Sequence, residues 1–141
     1  MRGLITVGLT LAFLAGACDD RSYREIGAAI DVLTKRSTDL PGPAVERLRG
    51  IGRRAVPQLE TAMHTASPRG KVNLVSALAA IGEPESAAIL QHFAVYDKSP
   101  EVRQACEDVL AGWAAGADGK AAPAKQAIAR IAEKRKLGLA E

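Results

Sequence analysis

Two histidines, two cysteines and one Gly-x-Gly are the residues whose types could do chemistry in this sequence. Nucleophilic catalysis needs a Ser, Cys or Thr beside a base, most often histidine. His64 and His92 fall near the ends of helical patterns whose polar faces are solvated, and no G-x-S-x-G frames a serine near either. No catalytic residue is therefore expected. A metal site needs several Cys, His or carboxylate ligands at fixed spacing, and two histidines separated by 27 residues with one further thiol are not such a pattern. No metal and no cofactor are expected. Gly50-Ile51-Gly52 lacks the preceding strand and the third glycine of a phosphate-cradling loop, and reads as glycines ending a short helix.

The elements that would position these residues are bounded by composition. A chain of 141 residues holds one domain, or a few small repeats of one kind, and excludes a multidomain enzyme. With 48% hydrophobic residues and 19 Lys+Arg against 16 Asp+Glu, the body is apolar and balanced enough to fold. Cys18 and Cys106 alone exclude a disulfide-stapled mini-fold. The formal charge of +3 is small, so no nucleic-acid partner is expected.

Residues 1–18 read as an address. Arg2 precedes an apolar run from Leu4 to Ala17, and Cys18, Asp19 and Asp20 follow at once. The run has 14 residues, short of the ~20 needed to cross hydrocarbon and suited to a signal-peptide core. Leu14-Ala15-Gly16-Ala17-Cys18 resembles the lipobox of bacterial lipoproteins. That resemblance implies cleavage after Ala17, a diacylglycerol and further fatty acyl chains on Cys18, and membrane attachment through that lipid. An Asp directly after the lipidated cysteine resembles a retention signal, so Asp19 implies the periplasmic face of the inner membrane, with the outer membrane as the alternative. A plain secretory signal that leaves Cys18 an ordinary thiol is the simpler reading. The expected organisation is a signal peptide at 1–17, a lipidated tether at 18–21 and a helical repeat domain at 22–141. With Cys18 acylated, Cys106 has no partner for a bridge and is expected to be a buried, inert core residue.

A register of about thirty residues runs through the body. Leu48-Arg49-Gly50-Ile51-Gly52 matches Leu78-Ala79-Ala80-Ile81-Gly82 at an offset of 30, and Leu59 falls on Ile89. Ser67-Pro68 matches Ser99-Pro100 at an offset of 32, which places Leu78 on Leu110. Self-similarity of this period marks a stacked array of helical pairs, and no alternating strand pattern competes. Ser22 with Glu25 forms a capping box for a first helix carrying Ile26, Ala29, Ile30 and Leu33. Pro43, Pro57, Pro68, Pro84 and Pro100 each mark a helix start, with Ser67 and Ser99 as N-caps and Gly82 as a C-terminal stop. Ala88, Ile89 and Phe93 are expected inward on the fifth helix. A closing helix from about Ala121 to Arg135 is expected to turn Ala124, Ile128 and Ile131 to one side.

Ala55-Val56-Pro57-Gln58-Leu59, Ser67-Pro68 and Leu78-Ala79-Ala80-Ile81-Gly82 are similar to HEAT-like repeats of the short type found in pigment lyases and bacterial scaffolds. The resemblance covers about residues 44–113. It implies an all-α fold, a HEAT-like α-solenoid of about three helical pairs plus a closing C-terminal helix. In such repeats the turn Asp bonds across to an Arg of a neighbouring unit, and Asp97 with Arg103 match that inter-repeat polar pair. Arg53 and Arg54 lie at one helix junction, while Arg69, Lys71 and Arg103 begin second helices, which line the concave side in solenoids. These five form a candidate binding groove for an acidic peptide or an envelope protein, against the simpler reading of solvated basic faces.

The expected function is a membrane-anchored lipoprotein acting as a non-catalytic protein–protein interaction scaffold or adaptor in the bacterial cell envelope. One rival is a lyase-like or chaperone-like solenoid that holds a substrate and uses Cys106 or an acid as its chemical group. Another is passive structural support. Cys106 sits among Val102, Val109 and Leu110, which argues against the first rival.

Overall fold

Apolar side chains recurring three and four residues apart give each segment one greasy stripe, and the fold is the set of contacts that hides those stripes. The computed structural model describes residues 14–35 and 41–138, with side chains from Asp20 onward. Seven α-helices stand among these residues: α1 (Leu14–Thr34), α2 (Gly42–Ile51), α3 (Val56–Thr65), α4 (Pro68–Ile81), α5 (Ser86–Tyr96), α6 (Pro100–Ala115) and α7 (Ala121–Lys136), with a 3₁₀ turn over Gly52–Ala55 and no strand. They form three successive pairs and a closing helix, the all-α solenoid expected from the register. Most of the apolar run at residues 1–17 lies outside the described residues.

The second helices of the pairs pack directly on one another, α2 on α4 and α4 on α6. The first helices are less close: α3 leans on α4 and α1, and meets α5 only weakly. An array that is tight on one side and splayed on the other must curve, and it opens a gap between α3 and α5. Leu48, Leu78 and Leu110, which occupy the same repeat position, are all fully buried. Leu59 is also fully buried, and its counterpart Ile89 is half-buried against the core.

Local chemistry sets the helix ends. The Ser67 hydroxyl accepts from the Gly70 N–H at 3.2 Å and the Ser99 hydroxyl accepts from the Val102 N–H at 3.4 Å, each followed by a proline in the first turn. Gly82 ends α4 in the left-handed conformation at φ 70°, with its N–H on the Leu78 carbonyl at 3.0 Å. Gly70 lets α4 approach α1: a Cβ there would lie 3.3 Å from the Cα of Thr34. Beside it, the Asn73 amide donates to the Leu33 carbonyl at 2.9 Å, pairing one of the acceptors that the end of α1 leaves open.

Three local expectations are corrected. Ser22 and Glu25 lie inside α1 rather than at its start, because residues 14–21 are already helical and their carbonyls precede Ser22; no capping box is needed there. On α5 the buried residues are Ser86, Ala87, Leu90, Phe93, Ala94 and Val95, whereas Ala88 is exposed. The buried stripe shifts because α5 is flanked by both α6 and α7. On α7, Ala121, Ala124, Ala127 and Ile131 face inward and Ile128 is 38% exposed. Alanines let α7 approach α5 and α6 closely, and the contact centres on them rather than on the larger Ile128.

Three substitutions test this packing. Ile131→Ala should cost about 2–5 kcal/mol in urea unfolding, while Ile128→Ala should change stability by less than about 1 kcal/mol. Asn73→Ala should lower stability by about 1–3 kcal/mol, because the Leu33 carbonyl loses its partner in a half-buried setting.

Candidate functional site

The gap between α3 and α5 is lined by side chains from two consecutive units. His64, in the last turn of α3, and Pro68 and Lys71, in the first turns of α4, come from one unit. His92, Phe93 and Tyr96 of α5, with Asp97, Lys98 and Ser99 of the following turn, come from the next. Together they line a cavity of about 470 Å³.

Four rings form its floor and walls. His64 and His92 stand 6.1 Å apart between ring centroids. Phe93 lies 5.2 Å from His64 and 5.3 Å from His92, the latter edge-to-face. Tyr96, one turn beyond His92, is 5.2 Å from it and 51% exposed. Phe93 is buried, and the Lys71 ammonium is 5.7 Å from its ring centroid.

The polar wall is organised by Asp97. One carboxylate oxygen accepts from the Ser99 N–H at 2.9 Å and the other accepts from the Lys71 ammonium at 2.5 Å. The Asp97 side chain is almost wholly buried and that of Lys71 is 18% exposed, so this is a shielded pair holding one unit to the next. The Ser99 hydroxyl donates to Glu101 at 2.5 Å. That bond, followed by Glu101's own backbone N–H, holds the Glu101 carboxyl below its usual range. Arg103 donates to the carbonyls of Asp97 at 2.7 Å and Lys98 at 3.3 Å.

These distances revise the polar pairing. Asp97 and Arg103 do meet, but through the Asp97 carbonyl and within one unit. The bond between units runs from Lys71 to the carboxylate. Lys71, the fourth residue of α4, stands where the repeat resemblance looks for an arginine, and its ammonium reaches the turn of the next unit.

The five basic residues do not share one groove. Lys71 and Arg103 serve the Asp97 turn, and Arg69 is exposed at the start of α4. Arg53 forms an exposed ion pair with Glu85, at the opposite end of α5, and the 11 residues of α5 separate those ends by about 16 Å. Arg54 lines a separate cavity of about 240 Å³ with Tyr23, Ile26 and Gln58. The side chain of Cys18 lies outside the described residues. Its backbone belongs to α1, so the tether expected at 18–21 is helical.

By sequence alone His64 and His92 are solvated helix-end residues. Both are exposed, yet the fold brings their rings together. The His92-Phe93-Tyr96 face was legible as one turn of helix. Nothing local pointed to His64, because His64 and His92 are not at equivalent repeat positions. Among the described residues, no three His, Cys, Asp or Glu side chains come together as a metal site, and no helix is long and apolar enough to cross a membrane.

Cys106 is fully buried on α6. Burial, reinforced by Asp97 and Glu107, pushes its thiol from 9.0 up to about 12. A thiol that stays protonated is a poor nucleophile. In the native protein Cys106 should resist Ellman's reagent at pH 8 and react at once in guanidinium. Because the folded state raises this pKa, the thiol's contribution to stability is present below pH 9 and lost as pH rises towards 12. Urea titrations should therefore show a steeper alkaline fall for the wild type than for Cys106→Ala.

Neither a curated protein nor a solved structure matches the chain. Residues 26–111 match the family model described as HEAT repeats, which spans the three stacked pairs from the first core residue of α1 to the last turns of α6. Pair architecture, the shared leucine position and this match agree: the chain belongs to the HEAT-repeat family.

Proposed function

We propose that this chain is a lipid-anchored, non-catalytic scaffold or adaptor of the bacterial cell envelope, holding another protein against its curved helical wall. The observation that carries the reading is how the potentially reactive groups are used. The Cys106 thiol is sealed in the core, Lys71 and Asp97 are engaged in holding one unit to the next, and Ser99 and Arg103 brace the Asp97 turn within its own unit. A repeat array that uses its polar side chains in this way is suited to presenting surface. The same burial weighs against a lyase-like role for Cys106.

The anchor rests on Leu14-Ala15-Gly16-Ala17-Cys18 and its resemblance to a lipobox, with Asp19 favouring the periplasmic face of the inner membrane. Ile26 is the first buried residue of α1, and eight helical residues beyond Cys18 correspond to about 12 Å. A lipid on Cys18 would thus join the body through a short, stiff helical link, and the array would stand close to the bilayer.

An alkyne fatty acid fed to cells should label the wild type and leave Cys18→Ser unlabelled, and the variant should leave the membrane fraction. Affinity capture of the labelled protein from detergent-solubilised membranes should recover one partner in stoichiometric amount. Absence of label removes the anchor. Recovery of no partner from a labelled protein favours passive structural support.

A further inference from the structure

We infer that the ring-lined cavity between α3 and α5 is a docking site for an acidic segment of a partner protein, one that carries an aromatic or large apolar side chain next to its carboxylates. This inference rests on the scaffold reading and names the chemistry of the partner.

The donor and acceptor balance of the cavity points to an anion. Among the described residues Asp97 is its only carboxylate, and both of its oxygens are occupied, one by the Ser99 N–H and one by Lys71. Donors remain. The Lys71 ammonium has three N–H groups and uses one on Asp97. Lys98 is exposed at the rim and makes no ion pair among the described residues. Each imidazole offers at least one N–H, and the Tyr96 hydroxyl another. A carboxylate entering here meets unoccupied donors, whereas an entering cation meets two ammonium groups and a carboxylate already neutralised.

Shape adds the second requirement. A cavity of about 470 Å³ is far larger than a bare carboxylate needs. Its floor is the buried Phe93 ring, flanked by the two imidazoles and an exposed Tyr96. Such surfaces take apolar and aromatic groups by offset or edge contacts, and exposed tyrosine is a residue type on which binding energy concentrates. The cavity also straddles two repeat units, so an extended chain laid across the units would pass over it.

The test uses the full-length protein in non-ionic detergent. Fluorescein-labelled Glu-Asp-Phe-Glu-Asp is titrated by anisotropy, with Gln-Asn-Phe-Gln-Asn as its neutral counterpart and polyphosphate as a competitor of charge alone. The acidic peptide should bind at least about tenfold tighter than the neutral one, and binding should weaken in about 0.5 M salt. Tyr96→Ala and Lys98→Glu should each weaken it about tenfold, while Lys125→Glu, on the exposed face of α7, should change it less than about twofold. Tyr96, Lys98 and Lys125 are all exposed, and circular dichroism checks that each variant keeps its helices. Amide shifts should cluster at residues 64 and 92–99. Equal binding of the two peptides, displacement by polyphosphate at equal charge, indifference to Tyr96→Ala, or shifts centred elsewhere would each overturn the inference. Stoichiometric capture of a partner that Tyr96→Ala does not weaken would overturn it too, while leaving the scaffold standing with its docking surface on another face.

Discussion

Everything in this molecule depends on the burial of one leucine position repeated through the second helices. Leu48, Leu78 and Leu110 are each fully buried, and they lie on α2, α4 and α6, the helices that pack in direct succession. One pair of helices, each 10 to 21 residues long, cannot hide its own stripe. Placing the next pair against it covers that stripe and exposes another, until α7 covers the last one. The curvature follows from the same contacts. Second helices held close and first helices held apart leave a curved wall, and the cavity at its outer edge is a product of that curvature.

The turn after α5 shows how polar chemistry is added to an apolar plan. Asp97 is nearly buried, so its charge requires partners. It takes Lys71 from the preceding unit and the N–H of Ser99 from its own turn. Arg103 then occupies the Asp97 and Lys98 carbonyls of the turn that follows α5. This bond set fixes the angle between successive units at one edge, while the leucines fix it at the other. It also arranges the walls of the ring-lined cavity, since Lys71 and the Asp97 turn border it. Stability and the candidate docking surface therefore share residues, and a change in the turn alters both.

The closing helix makes a similar point about size. Ala121, Ala124 and Ala127 allow α7 to lie close on α5 and α6, and Ile131 supplies the larger anchor. Arg135 reaches Glu107 across this contact, with one of its bonds at 3.2 Å. The last exposed stripe of the array is thus covered by small residues at short range, and Ile128 is left on the outer flank.

The helices and their order were legible because their causes are local. Ser-Pro pairs cap starts, left-handed glycine ends α4, and spacing of three and four residues marks each stripe. The thirty-residue register was legible because repeated burial demands repeated leucine. Rotations of individual helices were not, as Ala88 and Ile128 show: a stripe's centre is set by how many neighbours press on it, and neighbours are a tertiary fact. The capping box at Ser22 and Glu25 failed for a related reason, since a cap has meaning only where no helix precedes it. Pairing of Asp97 with Lys71 and the meeting of His64 with His92 belong wholly to the folded chain. Charge and ring contacts act over a few ångströms, and only the stacking of one unit on the next brings residues 26 and 28 positions apart to that distance.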